Sequence, residues 1–176
     1  MAIDLHSHQT RRWSGAHRRI SAAPALTAPG SWTLLEGSTA ELAVRRLAHL
    51  EPLQQMPLRG RIVNDGTGAF LISAAAREED PAGPGLVFRS RRILADGQGR
   101  LTIPGSLATG DELLEVSFHG VLLPAEPGQD DGIIRAEARA ELDRAGMRFL
   151  AGALETTVLH IGHGRLDARI LAAAQR

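Results

Sequence analysis

The sequence predicts an all-β domain, antiparallel and barrel-like, behind an N-terminal arm with no regular structure of its own. Three observations carry this expectation. Apolar and polar residues alternate one by one through much of the chain after Ser31. Clusters of Gly, Asp, Asn and Pro separate the alternating runs at short intervals. The first thirty residues show neither a strand period nor a helix period.

The arm, residues 1–30, carries Arg11, Arg12, Arg18 and Arg19 against a single acid, Asp4, and ends in Ala-Pro-Ala-Leu-Thr-Ala-Pro-Gly. Prolines among small residues favour extended, unpaired backbone. The arm is therefore expected to be disordered, or ordered only on contact, with residues 31–176 forming the barrel domain. In the first alternating run Ala40, Leu42 and Val44 interleave with Glu41, Ala43 and Arg45. The span Ser38–Leu50 also reads as a helix with Ser38 as its N-cap and Glu41 in its first turn; the alternation favours a strand. Shorter strands are expected at Leu58–Val63, Phe70–Ala75, Leu86–Leu94 and Arg100–Ile103.

Leu114, Val116 and Phe118 then alternate with Glu115, Ser117 and His119. The strictest run is Ile134–Leu142, where Ile134, Ala136, Ala138, Ala140 and Leu142 interleave with Arg135, Glu137, Arg139 and Glu141. Its Ala, Arg and Glu favour a helix by propensity. On a helix, however, strict alternation scatters the charges over every face, whereas a strand sorts them onto one. Leu166, Ala168 and Ile170 repeat the pattern against Arg165, Asp167 and Arg169. Turn signals fall at Asn64–Gly68, Asp96–Gly99, Thr109–Asp111 and Pro124–Gly132. Roughly eight such strands close into a barrel or stack as a two-sheet sandwich, and closure removes the exposed edges.

With 176 residues and a 43% hydrophobic fraction, the chain suits one domain with a true core. Its formal charge is zero and every base is an Arg, so charge gives no reason to expect a nucleic acid partner. There is no Cys, which removes disulfides, thiolate metal sites and a Cys nucleophile together. Arginines interrupt the N-terminal apolar residues, so a cleaved signal peptide is not expected. No run approaches the roughly 18–20 apolar residues of a membrane span. The expectation is a cytoplasmic protein.

Residues that suggest chemistry have simpler explanations. Asp4-Leu-His6-Ser-His8 resembles the opening of metal-dependent hydrolases, but the Arg-rich arm that follows supplies no further ligands. His160 and His163, with His119 elsewhere, read as exposed loop residues more than as a metal site. Ser90 and Ser106 lack a nucleophile-elbow context and an identifiable base. Glu78, Glu79 and Asp80 read as a solvated loop, and the paired arginines at 11–12 and 18–19 as a solvated tail. No catalytic residue, metal or cofactor is expected, and the chain is read as a non-enzyme.

The inward stripe is the most informative feature. Ala40, Ala136, Ala138, Ala140, Ala168 and Ala172 are small, and the chain holds only two Trp and four Phe. Small inward residues either leave a lumen open or face bulky Leu, Ile and Phe across a solid interior. The residues alone leave both open.

The ordered part resembles the YceI-like family, whose opening strand carries Trp-x-Ile-Asp and leads to an alternating Val-x-Phe-x-Val-Arg-His segment. Ser31-Trp-Thr-Leu-Leu35 is similar to the first and Ala40-Glu-Leu-Ala-Val-Arg-Arg-Leu47 to the second. Arg59-Gly-Arg61, Pro84-Gly-Leu-Val-Phe-Arg-Ser90, Glu115-Val-Ser-Phe-His-Gly120 and Leu142-Asp-Arg144 follow in the family's order. So do Ala153-Leu-Glu-Thr156 and Ile161-Gly162. Two departures stand out: Arg46 replaces the family's His, and the helical insertion before the Pro-x-Ile-x-Phe strand has shrunk to about Arg77–Gly83.

The resemblance implies an antiparallel, eight-stranded, lipocalin-like β-barrel that binds an isoprenoid or another lipid-like molecule, and it favours the open lumen. The wall of that lumen is then expected to include Leu42, Val44, Phe88, Ile103, Val116, Phe118, Ala136, Ala138, Ala168 and Ile170, with Arg46 near one mouth to meet a polar headgroup. A filled barrel that binds a protein partner is the alternative, and homodimerisation is left open.

Overall fold

A computed structural model describes residues 24–75, 85–124, 132–155 and 162–175. These residues form ten strands, most of which alternate more and less buried side chains as the sequence does. They are β1 (Gly30–Leu34), β2 (Thr39–Arg46), β3 (His49–Asn64), β4 (Ala69–Ala75), β5 (Leu86–Ser90), β6 (Leu94–Ala95), β7 (Arg100–Thr109), β8 (Glu112–Leu122), β9 (Ile133–Leu142) and β10 (Gly164–Ala174). Two helices join them, a single turn α1 (Pro24–Thr27) and α2 (Arg144–Ala153). Every strand pairing is antiparallel, and β10 pairs with β9 on one side and with β1 and β2 on the other, which closes the sheet.

The ten strands make eight staves. β1 and β2 occupy one position, both lying between β10 and β3. Across Leu35–Ser38 the register on both neighbours slips by the same amount: Leu34 faces Ala172 and Thr39 faces Arg169, while Thr33 faces Arg61 and Thr39 faces Pro57. The ladder is broken there, and Ser38 repairs it. Its buried hydroxyl donates to the Leu171 carbonyl at 2.9 Å and accepts from the Leu171 N–H at 3.0 Å.

The fourth stave is broken in the same way. β5 ends at Ser90, the chain steps aside at Arg91 and Arg92, and β6 continues along β7. The Ser90 hydroxyl accepts from the Leu71 N–H at 2.7 Å, which holds β4 where β5 has left it. The single strand expected over Leu86–Leu94 is thus divided, because the N–H of Arg91 turns to the carbonyl of Pro104 across the wall.

Other differences from the sequence reading have equally local causes. β3 begins at His49 rather than Leu58 and tolerates Pro52 and Pro57. β4 reaches it only from Leu58 onward, so the earlier half has one partner strand and can spare N–H groups. The Ser38–Leu50 span holds β2 and not a helix. Of the arm, residues 1–23 lie outside the described residues; its last part carries α1, whose Leu26 packs against the core while its carbonyl accepts from Asn64 Nδ2 at 2.8 Å.

Helix α2 was not anticipated. Its signal lies in Asp143-Arg-Ala-Gly-Met-Arg-Phe-Leu: an N-cap followed by Met147, Leu150 and Leu154 on one face. The Asp143 carboxylate accepts from the Gly146 N–H at 2.8 Å, and Met147 and Leu150 are fully buried, each contributing about 1.5–3 kcal/mol of burial. The helix sits over the end of the barrel where β10 begins; a Cβ at Gly164 would lie 2.1 Å from the Met147 sulfur. It also lies beside β8, whose first half (112–118) pairs with β7 but not with β9. The wall between β8 and β9 is therefore held there by side-chain packing. The opposite end is closed by Trp32, Ile62 and Ile134, all buried.

Turns are fixed by aspartates. Asp96 accepts chiefly from the backbone N–H of Arg100, then from the Arg100 guanidinium and then from the Gln98 N–H, which together hold its carboxyl below the usual carboxylate range. Asp65 is lowered likewise, chiefly by the Thr67 hydroxyl and then its N–H. The β2–β3 turn is different: Leu47, fully exposed, occupies a φ of 53° that favours glycine.

Ser38→Ala and Ser90→Ala each strip a wall N–H of its partner. Each substitution is expected to lower the unfolding free energy by about 1–3 kcal/mol in urea titration while the fold is kept. An unchanged midpoint would mean the two hydroxyls are not what holds the broken ladders.

Candidate functional site

The barrel interior is apolar and asymmetric. On one side Phe88 of β5 and Phe118 of β8 meet edge to face, ring centroids 5.1 Å apart at 76°, with Ile103 and Leu107 beside them. On the other, the register lines up Gly120, Ala138, Ala168 and Ala40 straight across β8, β9, β10 and β2. The low side chains of that row leave a void of about 40 Å³ against the aromatic pair. Around it stand Phe88, Ile103, Phe118, Ala138, Ala168 and Ile170, all expected from the sequence, together with residues it did not single out, among them Leu34, Leu71, Ala75 and Leu166.

The remaining expected residues are placed elsewhere. Leu42, Val44 and Ala136 are buried in the core without touching the void, and Val116 is half-buried and packs against that core. Arg46, expected at a mouth to meet a headgroup, is at the end of β2 with its side chain 55% exposed, and its Nε lies 2.9 Å from a Glu51 carboxylate oxygen. Position 46 follows Arg45 at the hairpin end, where the chain leaves the wall, so its guanidinium pairs across β2 and β3 in solvent.

Among the described residues one polar side chain lines the void: Ser73 of β4, 5% exposed. It occupies the inward series Ala69, Leu71, Ser73, Ala75, so its place was readable from the period, although its chemistry was not picked out. Among the described residues no charged side chain lines the void.

The other candidates for chemistry have structural places. Ser90 spends its hydroxyl on the Leu71 N–H, and Ser106 lies in register between Arg89 and Glu115 on neighbouring strands. His119 is exposed with Nδ1 3.5 Å from the Thr102 hydroxyl, and His163 is exposed. Among the described residues no three His, Asp or Glu side chains converge as metal ligands. His6, His8, His160, Glu78, Glu79, Asp80 and the arm's paired arginines lie outside the described residues. No helix among the described residues is long and apolar enough to cross a membrane.

The outer side of the small-residue row forms an open groove of about 680 Å³. Charges of both signs flank it: Arg139, Arg169, Glu41, Glu137 and Asp167, with His119 and Val121 at one end. Arg169 reaches Glu137 at 3.5 Å.

The sequence matches no protein-family model and no curated protein.

The void fixes where extra volume is tolerated. Ala138→Val adds two methyl groups toward it and is expected to leave stability within about 1 kcal/mol of wild type. Ala172→Val, at a fully buried position away from the void, is expected to cost about 1–3 kcal/mol. Thermal or urea unfolding of the two variants checks this; equal costs would mean the lumen is packed uniformly.

Proposed function

We propose that the protein is a non-enzymatic binding protein whose barrel takes up a lipid-like apolar molecule, such as an isoprenoid chain, in its lumen. The observation that carries the reading is the apolar void between the phenylalanine pair and the alanine row, with no charged side chain of the described residues on its wall. At about 40 Å³ it is far smaller than the roughly 300–1,000 Å³ of ordinary small-molecule pockets. A chain-like guest therefore enters only as the interior gives way. The place for that is the β8–β9 wall beside α2, where packing takes the place of backbone hydrogen bonds. The ordered resemblance to YceI-like proteins supports the same reading.

A second reading is a filled barrel that binds a protein partner on its outer face. The small void and the charge-flanked groove over β8, β9, β10 and β2 favour it.

Solvent extraction and native mass spectrometry of the purified protein separate the two. The lumen reading expects a co-purifying apolar molecule, and Ala138→Val, which fills the void, is expected to lose it while remaining folded. A protein that carries nothing, and whose melting temperature does not rise with a saturating isoprenoid alcohol, would leave the filled barrel as the function-bearing form.

A further inference from the structure

We infer that the outer wall formed by β3, β4 and β5 is a docking face for a lipid bilayer with anionic headgroups. The inference concerns the outside of the barrel and goes beyond the lumen reading above.

A formal charge of zero hides an uneven distribution of charge. On the outer side of β9 and β10 the two signs balance rung by rung: Glu137 faces Arg169, Arg139 faces Asp167 and Glu141 faces Arg165. The opposite wall has no such balance. β4, β5, β7 and the part of β3 that pairs with β4 contain no Asp or Glu. Arg59 and Arg61 point outward from β3 and Arg89 from β5, and all three are exposed. Among the described residues no carboxylate forms an ion pair with any of them. Glu115 of β8, the nearest outward acid along the Arg89 rung, is taken by Arg91.

Between these arginines the wall is apolar. Arg61, Ile72 and Arg89 form one rung across β3, β4 and β5, and Arg59, Ala74 and Val87 form the next outward one. Ile72 is 40% exposed, on a strand whose inner face already supplies the core. Folding gains from neither feature: the isoleucine is left in water, and the guanidinium groups stand on both sides of it with no countercharge. A bilayer surface satisfies both. Anionic headgroups accept from the guanidinium groups, whose apolar stems lie along the wall, and the isoleucine enters the boundary beneath them. A nucleic acid backbone would answer the arginines and leave the isoleucine against phosphates.

Flotation of the full chain with phosphatidylcholine vesicles, with and without phosphatidylserine, tests this. Wild type is expected to float with the phosphatidylserine vesicles, to stay behind with phosphatidylcholine alone, and to be released by salt. Arg61→Gln with Arg89→Gln is expected to lower the partition coefficient by about 25-fold, at about five-fold per arginine. Ile72→Ser, which keeps every charge, is expected to lower it by about five-fold. Arg45→Gln with Arg139→Gln removes the same charge from the other side of the barrel and is expected to change it by less than about two-fold, since screening over about 8 Å isolates those positions from the bilayer. Failure of wild type to float with phosphatidylserine vesicles would overturn the inference. An equal loss in both arginine pairs, or a loss in neither, overturns this face and leaves net charge or the arginines of residues 1–30 as the attraction. No effect of Ile72→Ser, or polyglutamate or duplex DNA bound as tightly as the vesicles, overturns the bilayer as the occupant. All of these outcomes stand apart from whether the lumen carries a guest, which the extraction described above reads separately.

Discussion

Closure of the sheet by β10 is the constraint on which the rest of the structure depends. The β9–β10 ladder runs through ten residue pairs, from Gly164 opposite Leu142 to Ala173 opposite Ile133. On its other edge β10 serves two partners, β2 and then β1. With both of its edges taken, β10 itself offers no free edge to another molecule. The same ladder sets Ala138 opposite Ala168 and Ala136 opposite Ile170, so the closure that stabilises the barrel also decides which residues share a level of its interior. A slip of one residue would turn Arg139 and Asp167 inward, and the register is fixed by that penalty.

A closed wall made of curved strands has to break somewhere, and here it breaks at two staves. Each break leaves backbone groups that need partners in a place with little water. A serine answers both times, because its short side chain carries donor and acceptor together. Ser73 of β4 stands where nothing is broken. The difference between the three lies in the ladder around each residue and not in the residue itself.

Much of this was legible in the sequence. Strict alternation over Ile134–Leu142 outweighed the helical propensity of Ala, Arg and Glu, and the run is β9. The turn signals at Asn64–Gly68 and Asp96–Gly99 fall between strands, held by Asp65 and Asp96. What was not legible depends on contacts between distant residues. Whether Ala138 borders a void is decided by Phe118 and Phe88, which precede it in sequence on β8 and β5, and by how their rings meet. Prolines at 52 and 57 hid the first half of β3, since their tolerance depends on where β4 stops. Helix α2 was hidden because its short Met147, Leu150, Leu154 stripe follows directly on the strongest strand signal in the chain.

The hydroxyl bond between Ser38 and Leu171 joins residues 133 apart in sequence. Such a contact forms only after the intervening staves have been gathered, with the loop entropy of nearly the whole barrel already lost. Chains dominated by pairings of this reach fold on the millisecond-to-second scale, slowly for their size. The first and last staves therefore meet late, and until they do β10 and the β1–β2 stave both present unpaired backbone. The barrel that closes through β10 when finished has two open sides there while it is being made, and the charged outer residues of β10, Arg165, Asp167 and Arg169, are what stand guard along one of them.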